Sequence, residues 1–259
     1  GAAGNDDDIA WWENDGTPKS GNWPKHVVDG NYHRAISAFP ADLDGDGDID
    51  ILGAANEKDD NDTDPEANTI TWWENTNGVG SAWTATTLVT GFDGAVQALA
   101  ADIDGDGDLD VVGAAEDAQD IAWWENETIH RSAFFPNPDG EHLVDGSFDS
   151  PSDVYAVDMD GDGDLDVLGA AWYASEIAWW ENTGACEGTD GVCSTWVEHL
   201  VRDGFYNAGA VYAADLDGDG DQDVLGAASG IDDITWWENT GPCDGTDGAC
   251  TAWTKHLVD

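Results

Sequence analysis

The chain has 259 residues and is strongly acidic, with 7 lysine and arginine residues against 56 aspartate and glutamate residues and a formal net charge of −49. Such a surface repels nucleic acid and anionic membranes and attracts cations and basic partners, so we expect no nucleic-acid partner. No apolar run approaches the ~20 residues of a membrane-spanning helix, which argues against membrane insertion.

The first 30 residues contain a Trp-Trp-Glu-Asn tetrad starting at Trp11 and a His-Val-Val segment starting at His26. Before them, Gly1-Ala2-Ala3 matches the end of a second strand further along the chain, Gly53-Ala54-Ala55. This unit therefore lacks a first strand and the acidic loop that follows it elsewhere. We expect either a fragment of a longer protein or a homo-polymer, because an unpaired strand edge is a template for pairing with another copy.

An acidic stretch, Asp-x-Asp-Gly-Asp-Gly-Asp-x-Asp, follows at residues 42–50 and recurs at 102–110, 158–166 and 215–223. Five carboxylates this close repel one another unless a cation neutralises them. A solvated acidic turn is the alternative, but random acidity would not reproduce the glycines and the last aspartate four times. Alternating oxygen donors on a tightly wrapped backbone suit calcium better than the strict octahedron of magnesium.

An EF-hand loop begins in the same way but needs a glutamate at its twelfth position, where this chain has glycine in all four copies. The residues that follow predict a strand, not a helix. In the first copy we predict side-chain ligation by Asp42, Asp44, Asp46 and Asp50 and carbonyl ligation by Asp48. Four bound calcium ions, one per complete unit, would leave a net charge of about −41.

The Trp-Trp-Glu-Asn tetrad recurs at Trp72, Trp123, Trp179 and Trp236, and the histidine segment recurs at His142, His199 and His256. Thr87 stands where the second unit would have its histidine. Motifs that advance together at intervals of about 50 to 60 residues define a repeating unit. The sequence of each complete unit predicts four strands. In the last unit these are residues 208–214, 222–228, 234–239 and 253–258.

Strands without helices at this spacing predict an all-β fold. Adjacent tryptophans in one strand face opposite sides of the sheet, so both faces must be buried, as in a β-propeller but not in a sandwich. We therefore predict a single β-propeller repeat domain of four-stranded blades with calcium loops over residues 1–259. It would have four complete blades (31–90, 91–145, 146–202 and 203–259) and an incomplete first blade (1–30).

The four cysteines form two matched pairs, each bracketing a Gly-Thr-Asp-Gly turn: Cys186 with Cys193, and Cys243 with Cys250. We predict two local disulfides, and hence an oxidising, extracellular location, secreted or at the cell surface. A zinc site is the alternative, but a second pair near each first pair is missing. Asn61 and Asn126 match glycosylation sequons, whose use depends on the host.

The acidic loop, the Leu-Asp-Val-Leu-Gly-Ala-Ala segment and the Ile-Ala-Trp-Trp-Glu-Asn segment resemble the FG-GAP/VCBS repeat family. These are calcium-binding propeller repeats of integrin α-subunit heads and of many secreted bacterial proteins. The resemblance implies a loop between the first and second strands of each blade, whose first, third, fifth and ninth side chains bind calcium. In the later copies these are Asp102, Asp104, Asp106 and Asp110; Asp158, Asp160, Asp162 and Asp166; and Asp215, Asp217, Asp219 and Asp223. The seventh position would give its backbone carbonyl, at Asp108, Asp164 and Asp221.

Catalysis is not expected. The glutamate of the tetrad invites comparison with glycoside hydrolases, but a residue present in every unit is more typical of packing, and no catalytic or phosphate-binding motif occurs. We expect a non-enzymatic role in adhesion, recognition or structural assembly, with a protein or glycan ligand. The alternatives are a carbohydrate-binding lectin and an accessory domain of a larger secreted enzyme. Candidate ligand-binding residues are the loop aromatics Trp172, Tyr173 and Tyr206, which suit a sugar face but are also typical of loop packing.

Overall fold

The computed structural model describes residues 1–3, 7–14, 16, 23–56, 68–127, 135, 141–183, 195–241 and 252–258. Within these ranges the chain forms β-strands and no helix. It accordingly has, in the described ranges, no helix with the length and apolarity that a membrane crossing requires. The prediction of an all-β chain is confirmed for this part of the sequence.

The described strands form five antiparallel sheets, and each sheet follows chain order as a meander. The first sheet has three strands, β1 (Ala2–Ala3), β2 (Asp8–Trp12) and β3 (Lys25–Asp29). The second has β4 (Ala35–Ala41), β5 (Asp50–Ala55), β6 (Thr69–Asn75) and β7 (Trp83–Thr90). The third has β8 (Ala95–Ala101), β9 (Asp110–Ala115), β10 (Asp120–Trp124) and β11 (His142–Asp145). The fourth has β12 (Pro151–Val157), β13 (Asp166–Ala171), β14 (Glu176–Asn182) and β15 (Trp196–Arg202), and the fifth has β16 (Ala208–Ala214), β17 (Asp223–Ala228), β18 (Asp233–Asn239) and β19 (Trp253–Leu257).

Successive sheets pack face to face in chain order. The first strand of each four-stranded sheet lies against the first strand of the sheet before it, so β4, β8, β12 and β16 follow one another. Ser37 and Asp153 on these strands connect neighbours directly. The Ser37 hydroxyl accepts a hydrogen bond from the Ala98 amide, and Asp153 accepts one from the Val211 amide. Four-stranded meanders stacked in this way are the blades of a propeller-like repeat fold.

The hydrophobic core is divided among the junctions between neighbouring sheets. Three of these junctions bury the first tryptophan of one tetrad with the second tryptophan of the next. The clusters pair Trp72 with Trp124, Trp123 with Trp180, and Trp179 with Trp237. The junction between the first two sheets instead joins Ile9 to Trp73. The adjacent tryptophans therefore serve opposite faces, as the sequence predicts.

One glycine in each junction allows this close approach. A Cβ atom added at Gly113 of β9 would lie 2.9 Å from the Cδ1 atom of Ile70 and 3.1 Å from the Trp124 ring. The Gly-Ala-Ala segment that ends each second strand is thus a packing requirement between sheets.

Several predictions of the sequence fall on residues that the structure does not describe. The four cysteines of the two predicted disulfides, Cys186, Cys193, Cys243 and Cys250, lie outside the described ranges, as does the sequon at Asn61.

Candidate metal centres

Four loops, each joining the first and second strands of a sheet, bring aspartates together. In every loop the first, third and ninth residues of the nine-residue motif converge, with one carboxylate oxygen of each lying within 4.8 Å of the others. The groups are Asp42, Asp44 and Asp50; Asp102, Asp104 and Asp110; Asp158, Asp160 and Asp166; and Asp215, Asp217 and Asp223. The first sheet has no first strand in the described residues and hence no such loop.

The loop curls because its glycines and aspartates favour tight turns. In the first copy, Gly45 and Gly47 have φ values of 69° and 97°, a region that residues with a side chain rarely occupy. Asp44 accepts a hydrogen bond from the Asp46 amide, and Asp42 accepts one from the Gly47 amide. These turns direct the carboxylates at positions one and three toward the ninth.

The ninth aspartate is the buried anchor of each loop. The Asp110 side chain is 1% exposed, and its two oxygens accept the backbone N–H groups of Ile103 and Asn126, each at 2.9 Å. The Asn126 side chain donates to the carbonyl of Leu109 at 2.9 Å and to that of Leu43, in the acidic loop of the preceding sheet, at 3.0 Å. The tetrad asparagine therefore ties two neighbouring loops together.

The same connection recurs at the next junction, where Asn182 donates to the carbonyls of Leu165 and Ile103. Sequence reasoning missed this role, although an asparagine present in all five tetrads was a signal for it. The finding also corrects a prediction. Asn126 is 0% exposed and its amide is engaged with two carbonyls, so glycosylation at this sequon is incompatible with the folded chain.

Burial makes the carboxylate clusters hard to ionise. The pKa of Asp110 and of Asp166 is raised to about 8 and that of Asp50 to about 6. Desolvation is the largest cause, neighbouring aspartates add to it, and the hydrogen bonds to backbone amides oppose it. Desolvation also raises the pKa of Asp44 and Asp104. A cation that compensates the charge would therefore favour the ionised form of Asp110 and Asp166 at neutral pH.

Unpartnered oxygens show that the donor set fits such a cation. Asp42 and Asp102 each have a buried Oδ1 atom without a hydrogen-bond partner, whereas their Oδ2 atoms accept loop amides. A hard, all-oxygen set on a loop of this kind is suited to calcium. Of the predicted ligands, the fifth-position aspartates, such as Asp46, lie outside the three-carboxylate groups, and Asp46 accepts the Asp48 amide instead.

The repeated glutamates and histidines contact each other on the outer strands. His199 stacks on Trp179 at a centroid distance of 4.4 Å, and its Nε2 atom lies 2.8 Å from an oxygen of Glu181. The last unit repeats this contact. His256 stacks on Trp236 at a centroid distance of 4.2 Å, and its Nε2 atom lies 2.6 Å from an oxygen of Glu238. The contacts account for both residue types as packing partners.

The three aromatic ligand candidates differ in their exposure and in whether they line a cavity. Trp172 is 37% exposed and lines an open cavity of about 430 Å³ with Ser229, Asp232 and Asp233 of the fifth sheet. Tyr173 and Tyr206 are 68% and 60% exposed and do not line this cavity.

The sequence of the chain matches a known repeat family. A model of the FG-GAP-like repeat matches residues 60–113, 102–169 and 158–226, which together cover more than half of the chain. The chain belongs to the FG-GAP-like repeat family. The second and third matches begin at the first aspartate of an acidic loop, Asp102 and Asp158, and three of the four three-carboxylate clusters lie within the matched residues. No curated protein sequence matches the chain.

A solved structure shares the fold of this FG-GAP-like chain. It is a lectin of Agrocybe aegerita described as recognising non-reducing terminal N-acetylglucosamine, with a TM-score of 0.54 and 19% sequence identity. The alignment covers 96% of this chain and 60% of the lectin chain. At this identity the likeness concerns the fold alone, an arrangement of repeated antiparallel sheets.

Proposed function

We propose that this chain is a calcium-binding, non-catalytic propeller module that works outside the cell in adhesion, recognition or structural assembly. The observation that carries the proposal is the set of four three-carboxylate clusters, two of which contain a buried oxygen without a hydrogen-bond partner. The family membership supports the same conclusion, because three of the four clusters fall within the matched FG-GAP-like repeats.

The calcium ions would be held by the first, third and ninth aspartates of each loop. A bound divalent cation supplies positive charge among carboxylates that otherwise repel one another. The chain's own residues connect each site to the next one. Asp110 accepts hydrogen bonds from the Ile103 and Asn126 amides, and the Asn126 side chain donates to the Leu43 carbonyl in the preceding loop. Ordering one loop would in this way stiffen the junction with its neighbour, giving a rigid surface for recognition or assembly.

Titration calorimetry of chelator-treated protein with calcium tests the proposal. We expect four sites, and three in the variant Asp160→Asn, which removes the third-position carboxylate of one cluster. The matched control is Asp117→Asn, an exposed aspartate of a β-turn outside the clusters, which should keep four sites. Absence of calcium binding, or loss of the same site in both variants, would contradict the metal assignment.

A second candidate function is sugar binding, and the Trp172 cavity favours it. An exposed indole face beside Ser229, Asp232 and Asp233 combines a stacking surface with hydrogen-bonding groups, which suits a pyranose ring. Since the Agrocybe aegerita lectin is described as recognising N-acetylglucosamine, that sugar is the first probe. Binding that is lost in Trp172→Ala and kept in Tyr173→Ala would support the candidate, and no binding to a glycan panel would remove it.

A further inference from the structure

The glutamate of the fourth tetrad lies beside the aspartate loop of its own sheet. Glu181 directly precedes Asn182, whose backbone amide donates at 2.8 Å to Asp166, the ninth residue of the third loop. The Glu181 side chain is 15% exposed. Burial raises the pKa of Asp160 in this loop, and the charges of Asp162 and Glu181 are among those that raise it further. The glutamate therefore interacts electrostatically with a carboxylate cluster to which it does not belong.

The same interaction recurs in the second and fifth sheets. In the second sheet, desolvation raises the pKa of Glu74, and the charges of Asp44 and Asp46 raise it further. In the fifth sheet, the pKa of Asp217 is raised by desolvation and then by neighbouring carboxylates that include Glu238. Asp44 and Asp217 hold the third position of their loops, as the interacting aspartate of the fourth sheet does. In all three sheets the tetrad glutamate thus acts on the same position of the candidate metal site.

The contact with histidine does not explain why this position is acidic. The register of the second sheet pairs Trp72 with Thr86, so Thr86, and not Thr87, occupies the place of the histidine there. In the fourth and fifth sheets the corresponding tryptophans pair with histidines. The second sheet therefore has its glutamate next to an aspartate loop without the histidine. The feature that the three sheets share is the loop.

The charge of such a glutamate has opposite effects on the empty and the occupied loop. In the absence of a cation it repels three nearby carboxylates. A divalent cation in the cluster attracts the same charge and so reduces the repulsion. The difference between the two states favours cation binding, although the glutamate itself makes no bond to the ion.

We propose that Glu74, Glu181 and Glu238 form an outer part of the calcium sites and increase calcium affinity through their charge. This inference rests on the proposed calcium function and adds to each site a residue from outside the nine-residue loop. In the fourth and fifth sheets the histidine positions the glutamate. The Nε2 atoms of His199 and His256 lie 2.8 Å and 2.6 Å from the glutamate oxygens, as partners that orient carboxylates around a metal do.

Calcium titration calorimetry of chelator-treated Glu181→Gln tests the inference. We expect four sites, as in the unmodified chain, with the third loop binding calcium about two- to tenfold more weakly. The difference should shrink at high ionic strength, which screens the charge. The matched control is Glu198→Gln, which removes the same charge from an exposed position of the neighbouring strand β15 and should leave the affinity unchanged. Glu74→Gln should weaken the first loop in the same way.

Stability without calcium separates this role from simple packing. The amide introduced by Glu181→Gln still accepts a hydrogen bond from His199 and no longer repels Asp160. The melting temperature in EGTA should therefore be equal to that of the unmodified chain or higher, whereas a lost packing contact would lower it. In the Asp160→Asn background, which lacks the third site, Glu181→Gln should not change the affinity of the remaining three sites.

Three results would overturn the inference. They are an unchanged calcium affinity in Glu181→Gln, an equal loss in Glu198→Gln, and a lower melting temperature of Glu181→Gln in EGTA. Four calcium sites in the unmodified chain would in each case leave the metal assignment intact. Absence of calcium binding in the unmodified chain would instead refute that assignment, so the two failures are distinguishable.

Discussion

Calcium binding should release protons, and the number can be worked out from the buried aspartates. With a pKa of about 8 in the metal-free fold, Asp110 and Asp166 are each roughly nine-tenths protonated at pH 7. Calcium requires the ionised carboxylates, so loading these two loops at pH 7 should release about two protons per chain. Raising the pH from 7 to 9 should strengthen calcium binding at each of these loops roughly tenfold, or about 1.4 kcal/mol.

The first loop provides an internal comparison. Asp50 has a pKa of about 6, so this carboxyl group is already mostly ionised at pH 7, and its loop should gain affinity mainly between pH 5 and 7. Calorimetry in buffers of different ionisation enthalpy measures the protons released at each pH. The reasoning is refuted if no protons are released at pH 7, or if affinity at the second and third loops does not rise between pH 7 and 9.

The same shifts determine how the metal-free fold responds to pH. A carboxyl group whose folded pKa is raised binds its proton more tightly in the folded chain than in the unfolded chain. Its contribution therefore favours folding at low pH and is lost as pH rises from about 4 through the folded value. In chelator, stability should accordingly fall between pH 5 and 9, and calcium should reduce this fall.

Two further substitutions test the packing of the sheets. Gly113→Ala should cost about 1–3 kcal/mol in denaturant unfolding, because the new Cβ would lie 2.9 Å from Ile70 and 3.1 Å from Trp124. Its control is Gly209→Ala, where the nearest atom would be 3.7 Å away, and an equal cost at both positions would contradict the account of the junctions. Asp153→Ala should cost about 1–3 kcal/mol by leaving the Val211 amide without its partner at 2.9 Å. Unfolding curves that coincide with those of the unmodified chain would show that this link between first strands is dispensable.

Much of the fold was predictable because the repeats leave few alternatives. Adjacent tryptophans such as Trp123 and Trp124 can both be buried only if both faces of the sheet are covered, and the structure confirms this. In the last unit the predicted strands 208–214 and 222–228 correspond to Ala208–Ala214 and Asp223–Ala228.

The parts that sequence reasoning missed depend on contacts between units. Nothing local to Asn126 shows that its amide meets the Leu43 carbonyl of the preceding sheet, and the sequon pattern pointed to the surface instead. Spacing alone likewise does not show that Asp42 and Asp44 belong to the cluster whereas Asp46 lies outside it. The Asp46 carboxylate accepts the Asp48 amide instead.

The central claim is that calcium in the aspartate loops stabilises the stacked sheets. Its most direct test is thermal unfolding of the same sample in calcium and in excess EGTA at pH 7. We predict a markedly lower melting temperature in EGTA, because the clusters around Asp50, Asp110, Asp166 and Asp223 then lose their compensating charge. A melting temperature that is the same in calcium and in EGTA would contradict the account.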